Sequence, residues 1–194
     1  MAGPAGSREA TIPQVVRPVK RGRDRGGRWK PITKLTNAAL RWPPFPRSID
    51  MAFKRYADAV WQGDLQAGKG SMSTPQSGLF ADQNYSFKTR FGDEKGTNPE
   101  ELLAAAHAGC FSMALSAVLG KSGFTPERIQ TRAEATMDPG MDPGPTITGV
   151  NLVVNAKVPG MSAEQFQQVA EAAKAGCVIS RALSVPVTLS ATLG

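Results

Sequence analysis

The uncharged run from Leu102 to Leu119 dominates the alternation of hydrophobic and polar positions along the chain. Its 18 residues place apolar or small side chains at every position of the helical period, so the segment predicts a helix covered on all sides. The start signal is explicit. Asn98 suits the cap, Pro99 the first helical position, and Glu100 and Glu101 set negative charge at the positive end of the dipole. Eighteen uncharged residues is near the lower limit for a membrane span. Six alanines, two serines, Gly109 and His107 dilute the run, and no second one accompanies it, so a buried central helix is the preferred reading.

Around this helix the pattern is that of strands. AFKRYADAVWQG followed by the Gly-rich DLQAGKGSMST reads as strand, turn and strand. In YSFKTRF, Tyr85, Phe87, Thr89 and Phe91 alternate with Ser86, Lys88 and Arg90, which predicts a third strand with Arg90 pointing away from the aromatic face. After the loop KSGFTPERI, the segment IQTRAEATMD turns Ile129, Thr131, Ala133, Ala135 and Met137 inward. The turn-rich MDPGMDPGP joins it to ITGVNLVVNAKV, where Val150, Leu152, Val154, Ala156 and Val158 share a face. Ser162 and Gln165 form a capping box for the helix SAEQFQQVAEAAKAG, which Gly176 can end in the left-handed conformation. Cys177 follows at once. VPVTLSATL closes the chain as a strand, and Pro186 argues for a start or an edge.

Three strands, a long helix, two strands, a helix and a last strand indicate an α+β fold, with antiparallel sheets around the central helix. A helix apolar on every side needs more cover than one sheet supplies, and a dimer packing helices between sheets would provide it.

Composition changes this picture mainly at the N-terminus. The net charge of +7 is not spread over the chain. Residues 1 to 50 hold 11 Lys or Arg against three acids, a net of +8, and the remainder carries −1. Runs such as VKRGRDRGGRWK and RWPPFPRS show no period, and they predict a disordered basic extension over 1–50 ahead of a working domain over 51–194. The extension lacks the apolar core of a secretory signal. A weak nucleic-acid or anionic-surface tether, or an address, is the functional alternative to an inert leader.

Two cysteines make no disulfide framework and demand no oxidising compartment, consistent with a cytoplasmic protein. With one histidine they are too few for a closed zinc site without carboxylates, although His107 and Cys110 have the spacing of half a metal site. Taken singly, each cysteine reads as a small buried hydrophobe. Both follow Ala-Gly, one inside the core helix and one at the exit of another.

The stretch KGTNPEELLAAAHAGCFSMALS, with WQGDLQAGKGSMST and TRF upstream and AKAGC…S downstream, closely resembles the OsmC/Ohr family of osmotically inducible and organic hydroperoxide resistance proteins. GTNPEEL and the GDL…GKG hairpin favour the OsmC branch. The resemblance covers 51–194 and does not reach 1–50. It implies a thiol peroxidase built as an intertwined homodimer with two active sites at the interface, using organic hydroperoxides and an external lipoyl-type dithiol, with no bound cofactor or metal. By the same resemblance Cys110 is the peroxidatic cysteine and Cys177 the resolving one, Arg90 contacts the reactive sulfur, and Glu100 orients Arg90. Val178 departs from the Pro that usually follows the second cysteine, which is expected to alter the local turn.

Lowering the pKa of Cys110 would not by itself supply a rate. A shift from about 8.5 to about 5.5 raises the thiolate fraction at pH 7 roughly 30-fold. A Brønsted slope near 0.45 removes roughly 20-fold in nucleophilicity. Most of the acceleration must come from a fixed donor at the leaving oxygen and from holding the peroxide in line, tasks that suit Arg90 if Glu100 fixes its plane. Phe111, Met113 and Leu102 or Leu103 are the expected walls of an apolar substrate pocket. On one straight helix Glu100 and Cys110 lie about 15 Å apart, so either Arg90 bridges them or the helix breaks near Gly109. The contrasting reading is a non-enzymatic protein with structural cysteines and a nucleic-acid-binding tail.

Overall fold

The computed structural model describes residues 53–194; the expected extension, residues 1 to 50, lies outside them. The first sheet is an antiparallel meander of β1 (Asp58–Gln62), β2 (Lys69–Ser73) and β3 (Gln83–Ser86), in that order. Its first turn is built by Asp64, whose Oδ1 accepts the backbone N–H groups of Gln66 and Ala67, each at 2.9 Å. Those two donors hold its carboxyl below the usual range. Gly70 lies buried under the tilted Trp61–Tyr85 pair, and a Cβ there would meet the Tyr85 ring at 2.5 Å and the Trp61 ring at 2.7 Å.

YSFKTRF is not the strand that its alternation suggests. The strand stops at Ser86, and α1 (Phe87–Phe91) takes over. Ser86 Oγ accepts the Thr89 N–H and Thr89 Oγ1 accepts the Ser86 N–H, a reciprocal box that satisfies two donors a strand would have left to a neighbour. Phe87 and Phe91, four apart, share a side in a helix as they would in a strand, with ring centroids 4.8 Å apart.

Helix α2 (Pro99–Lys121) begins as its sequence predicts, with Asn98 Oδ1 accepting the Glu101 N–H at 2.8 Å. One stripe, His107, Phe111, Ala114, Leu115, Val118 and Leu119, is buried, and α2 packs on β4 and α3. The opposite stripe of Ala105, Gly109, Met113, Ser116 and Gly120 is open, with Met113 75% exposed. All-round cover is therefore not achieved within one chain. By length and composition α2 could cross a membrane, but its buried stripe makes it the core helix of this fold.

The second sheet has the order β4 (Arg128–Asp138), β5 (Thr146–Lys157), β6 (Val187–Leu193). β4 and β5 form the expected antiparallel hairpin, with a register shift between Thr136 and Met137 near its tip. Val150, Leu152, Val154, Ala156 and Val158 are buried along one face of the chain from β5 into the next turn. β6 pairs parallel to β5, so this sheet is mixed and not wholly antiparallel. A parallel return needs a long crossover, which the helical segment between the two strands supplies. β6 is an edge strand, as Pro186 indicated.

That crossover consists of α3 (Ala163–Gly176) and α4 (Val178–Ala182). The Ser162–Gln165 capping box is present, and Phe166, Val169, Ala170 and Ala173 bury the inner face of α3. Gly176 does not adopt the expected left-handed conformation. The helix ends because Cys177 turns extended, at φ −63° and ψ 128°, and α4 starts one residue later.

Candidate active site

The turn at Cys177 delivers its side chain to the flank of α2. Cys177 is fully buried, Cys110 is half-buried, and their sulfurs are 3.3 Å apart as free thiols. That is hydrogen-bond range for sulfur and about 1.3 Å longer than a disulfide bond. Burial pushes the Cys110 thiol above its ordinary value, and the adjacent Cys177 pushes the same way, because two sulfurs this close resist ionising together. The backbone N–H groups of Ile179 and Val178, at the start of α4, pull it down by donating to the sulfur.

Beside the sulfurs, His107 is fully buried with Nε2 2.8 Å from Ser180 Oγ. Its Nδ1 has no hydrogen-bond partner, and burial lowers its pKa, which favours the uncharged ring. Sequence reasoning weighed His107 only as half of a metal site and gave Ser180 no role. The available signal was the shared spacing of three residues in His107–Cys110 and Cys177–Ser180. Among the described residues no group of three or more His, Cys, Asp or Glu is placed to hold a metal ion.

Arg90 and Glu100 form a second pair. α1 presents the guanidinium and the first turn of α2 presents the carboxylate. Arg90 Nη2 lies 2.6 Å from Oε1, and Nε is 3.2 Å from both oxygens. The Glu100 side chain is 14% exposed and the Arg90 side chain 34%. The Phe91 ring lies 5.0 Å from the guanidinium carbon and limits its movement.

The structure thus brings Cys110 to Cys177 and Arg90 to Glu100, but not one pair to the other. α2 runs unbroken through Gly109, which leaves about 15 Å along the axis between Glu100 and Cys110. All the hydrogen bonds of the Arg90 guanidinium among the described residues go to Glu100. The expected pocket walls also need correction. Phe111 is 0% exposed, inside the core, because it lies on the stripe facing α3 and β4, whereas Met113 projects outward. The apolar hollow beside Arg90, about 250 Å³, is lined instead by Trp61, Leu65, Tyr85, Phe87 and Phe91.

One fully buried and one half-buried cysteine thus meet where the α3–α4 junction reaches the flank of the long core helix of an α+β scaffold. The chain belongs to the OsmC family: the OsmC-like protein profile matches residues 92–191. It is 48% identical over 139 residues to peroxiredoxin OsmC of Escherichia coli, covering 72% of this chain and 96% of that one. The organic hydroperoxide resistance protein of Xanthomonas axonopodis is 31% identical over 100 residues, half of this chain and 67% of its own. Among solved structures, OhrB of Bacillus subtilis superposes with a TM-score of 0.54 at 27% identity, covering 71% of this chain and 98% of that one.

Proposed function

We propose that the protein is a thiol peroxidase of oxidative-stress defence that reduces organic hydroperoxides to alcohols. The 3.3 Å approach of Cys110 and Cys177 carries this reading. The Cys110 thiolate attacks the distal peroxide oxygen, the O–O bond breaks, and the alkoxide leaves to take up a proton. Cys110 is then a sulfenic acid. Cys177 attacks that sulfur, and water departs as the disulfide forms. An external dithiol, of lipoyl type in our reading, returns both cysteines to thiols and is itself oxidised to a disulfide.

The working unit in this reading is a cytoplasmic homodimer. Three observations support it: the open uncharged stripe on α2, a first sheet with little packing on the rest of its own chain, and the 15 Å gap between the two functional pairs. Two α2 helices packed antiparallel across Ala105, midway between residues 100 and 110, bring each Cys110 opposite Glu100 of the partner subunit. Arg90 of the partner subunit then serves as the fixed donor for the leaving oxygen and offsets the burial that holds the Cys110 thiol up. The aromatic hollow beside Arg90 favours alkyl or lipid hydroperoxides over hydrogen peroxide.

The decisive measurement is intact mass and free-thiol titration of reduced protein before and after one equivalent of cumene hydroperoxide. The expected result is loss of both thiols with loss of two hydrogen atoms, and a trappable sulfenic acid on Cys110 in Cys177→Ser. Survival of both thiols, while a control peroxidase reacts, overturns the reading.

A further inference from the structure

Two side-chain contacts tie the start of α4 to α2, and they lie next to each other. Cys110 meets Cys177, and three residues away on each segment His107 meets Ser180. Residues three apart are neighbours on a helix, so the imidazole–hydroxyl bond runs alongside the sulfur–sulfur contact.

The His107–Ser180 bond is the only hydrogen bond made by an α4 side chain among the described residues. α4 has five residues, far too few to hold a helical conformation unaided, so contacts with α2 and α3 decide where it sits. Packing alone does not account for the imidazole. A fully buried ring with an unpartnered nitrogen costs stability that an apolar side chain of similar size would not. What the imidazole supplies is a directional tether with a 2.8 Å reach, placed where the separation of α2 and α4 is set.

We propose that His107 and Ser180 are positioning residues for disulfide closure, a clasp that holds Cys177 within reach of the oxidised Cys110. The inference rests on the two-cysteine cycle proposed above. After peroxide attack, the Cys177 sulfur displaces hydroxide from the Cys110 sulfenic acid. The S–O bond breaks, the S–S bond forms, and the proton released by Cys177 leaves with the hydroxide as water. The sulfurs must close by about 1.3 Å, and a loosened α4 spends less time in the approach geometry. A sulfenic acid left waiting meets a second peroxide and passes to the sulfinic acid, which a dithiol does not reverse.

Ser180→Ala removes one oxygen and little volume, and Ser180→Thr keeps the hydroxyl. Rapid-quench mass spectrometry after cumene hydroperoxide separates loss of the Cys110 thiol from appearance of the disulfide. A dithiothreitol redox buffer measures the Cys110–Cys177 equilibrium without peroxide. In Ser180→Ala the first step should stay within about threefold of wild type while closure slows at least about tenfold. The redox equilibrium should move about tenfold towards the dithiol, about 30 mV. Excess peroxide should add two oxygen atoms to Cys110, and Ser180→Thr should restore closure. Wild-type closure and equilibrium in Ser180→Ala overturn the clasp. So does equal slowing of both steps, which marks a general packing defect. If wild type ignores peroxide yet Ser180→Ala shifts the redox equilibrium as expected, the peroxidase reading fails and the clasp stands.

Discussion

The two halves of the described chain differ in what they bury. From α2 to β6, Phe111, Leu115, Leu119, Leu152, Val154, Phe166 and Val169 are sealed from solvent in one continuous core. From β1 to α1 no large apolar side chain is buried, and Val60, Leu65 and Leu79 stand open, the last 76% exposed. The second half meets the conditions for a domain, and the first half is a sheet without a core. The site is divided along the same line. The sulfurs belong to the self-sufficient half, whereas the guanidinium is carried by the half that lacks support of its own.

The sharpest break in that comparison is in stability. Phe166→Ala opens the centre of the α2–α3–sheet core and should cost about 3–5 kcal/mol in denaturant unfolding, equally at every protein concentration. Leu79→Ala should cost less than about 0.5 kcal/mol where the chains are single. Any larger loss should appear only at concentrations where wild type is associated. A concentration-independent loss comparable to that of Phe166→Ala would give the first half a core of its own and remove the reason for a partner.

Next in size is the open stripe of α2. Gly109 is exposed and a Cβ there meets no heavy atom within 4 Å, so the single chain leaves open space for the side chain of Gly109→Arg to start into. Between two closely packed helices the same side chain cannot be accommodated. Sedimentation should find a monomer, and peroxide turnover should fall at least about a hundredfold because Arg90 and Cys110 part company. A dimer of wild-type activity would show that the stripe is not the contact. Arg90→Lys should then cost about thirtyfold in turnover with little change in stability, since a lysine keeps the charge and loses the bidentate hold on Glu100. In the proposed dimer, Arg90→Met should raise the pH at half-maximal Cys110 alkylation, because it removes the partner's cation that the proposal sets against the effect of burial. Near-native turnover by Arg90→Lys would sink the argument from donor geometry.

The self-sufficient half was also the more legible. Asn98–Pro99–Glu100 marked the start of α2, Val150 to Val158 marked a buried face, and Ser162 with Gln165 marked α3, because each is a local signal that the tertiary fold confirms. The first half misled where two periods coincide. Phe87 and Phe91 lie on one side of either a strand or a helix, and the Ser86–Thr89 box, not the aromatic spacing, decided for the helix. Other features have no local signal. The parallel docking of β6, the inward turn of Phe111 and the meeting of His107 with Ser180 depend on how distant segments pack. For the site, the residues themselves drew attention only to the two cysteines that each follow Ala-Gly, and the resemblance to the OsmC/Ohr family, not spacing, singled out Arg90 and Glu100. Their division into two separated pairs needed the unbroken course of α2.

The smallest effect concerns Val178, the departure from the family pattern. Its position is already suited to proline: it is the first residue of α4, where a missing N–H leaves no helical bond unmade. Cys177 before it is extended at φ −63° and ψ 128°, the conformation that a residue preceding proline prefers. The local turn therefore needs no change to take either residue. What valine adds is a backbone N–H, and that group donates towards the Cys110 sulfur together with the N–H of Ile179. Val178→Pro removes one donor and leaves the backbone path intact. Cys110 alkylation should then need a higher pH, and turnover at neutral pH should fall by about two- to threefold, well short of the loss in Arg90→Lys. An unchanged alkylation profile would assign the donor role to Ile179 alone, and a loss as large as that of Arg90→Lys would mean that α4 had moved.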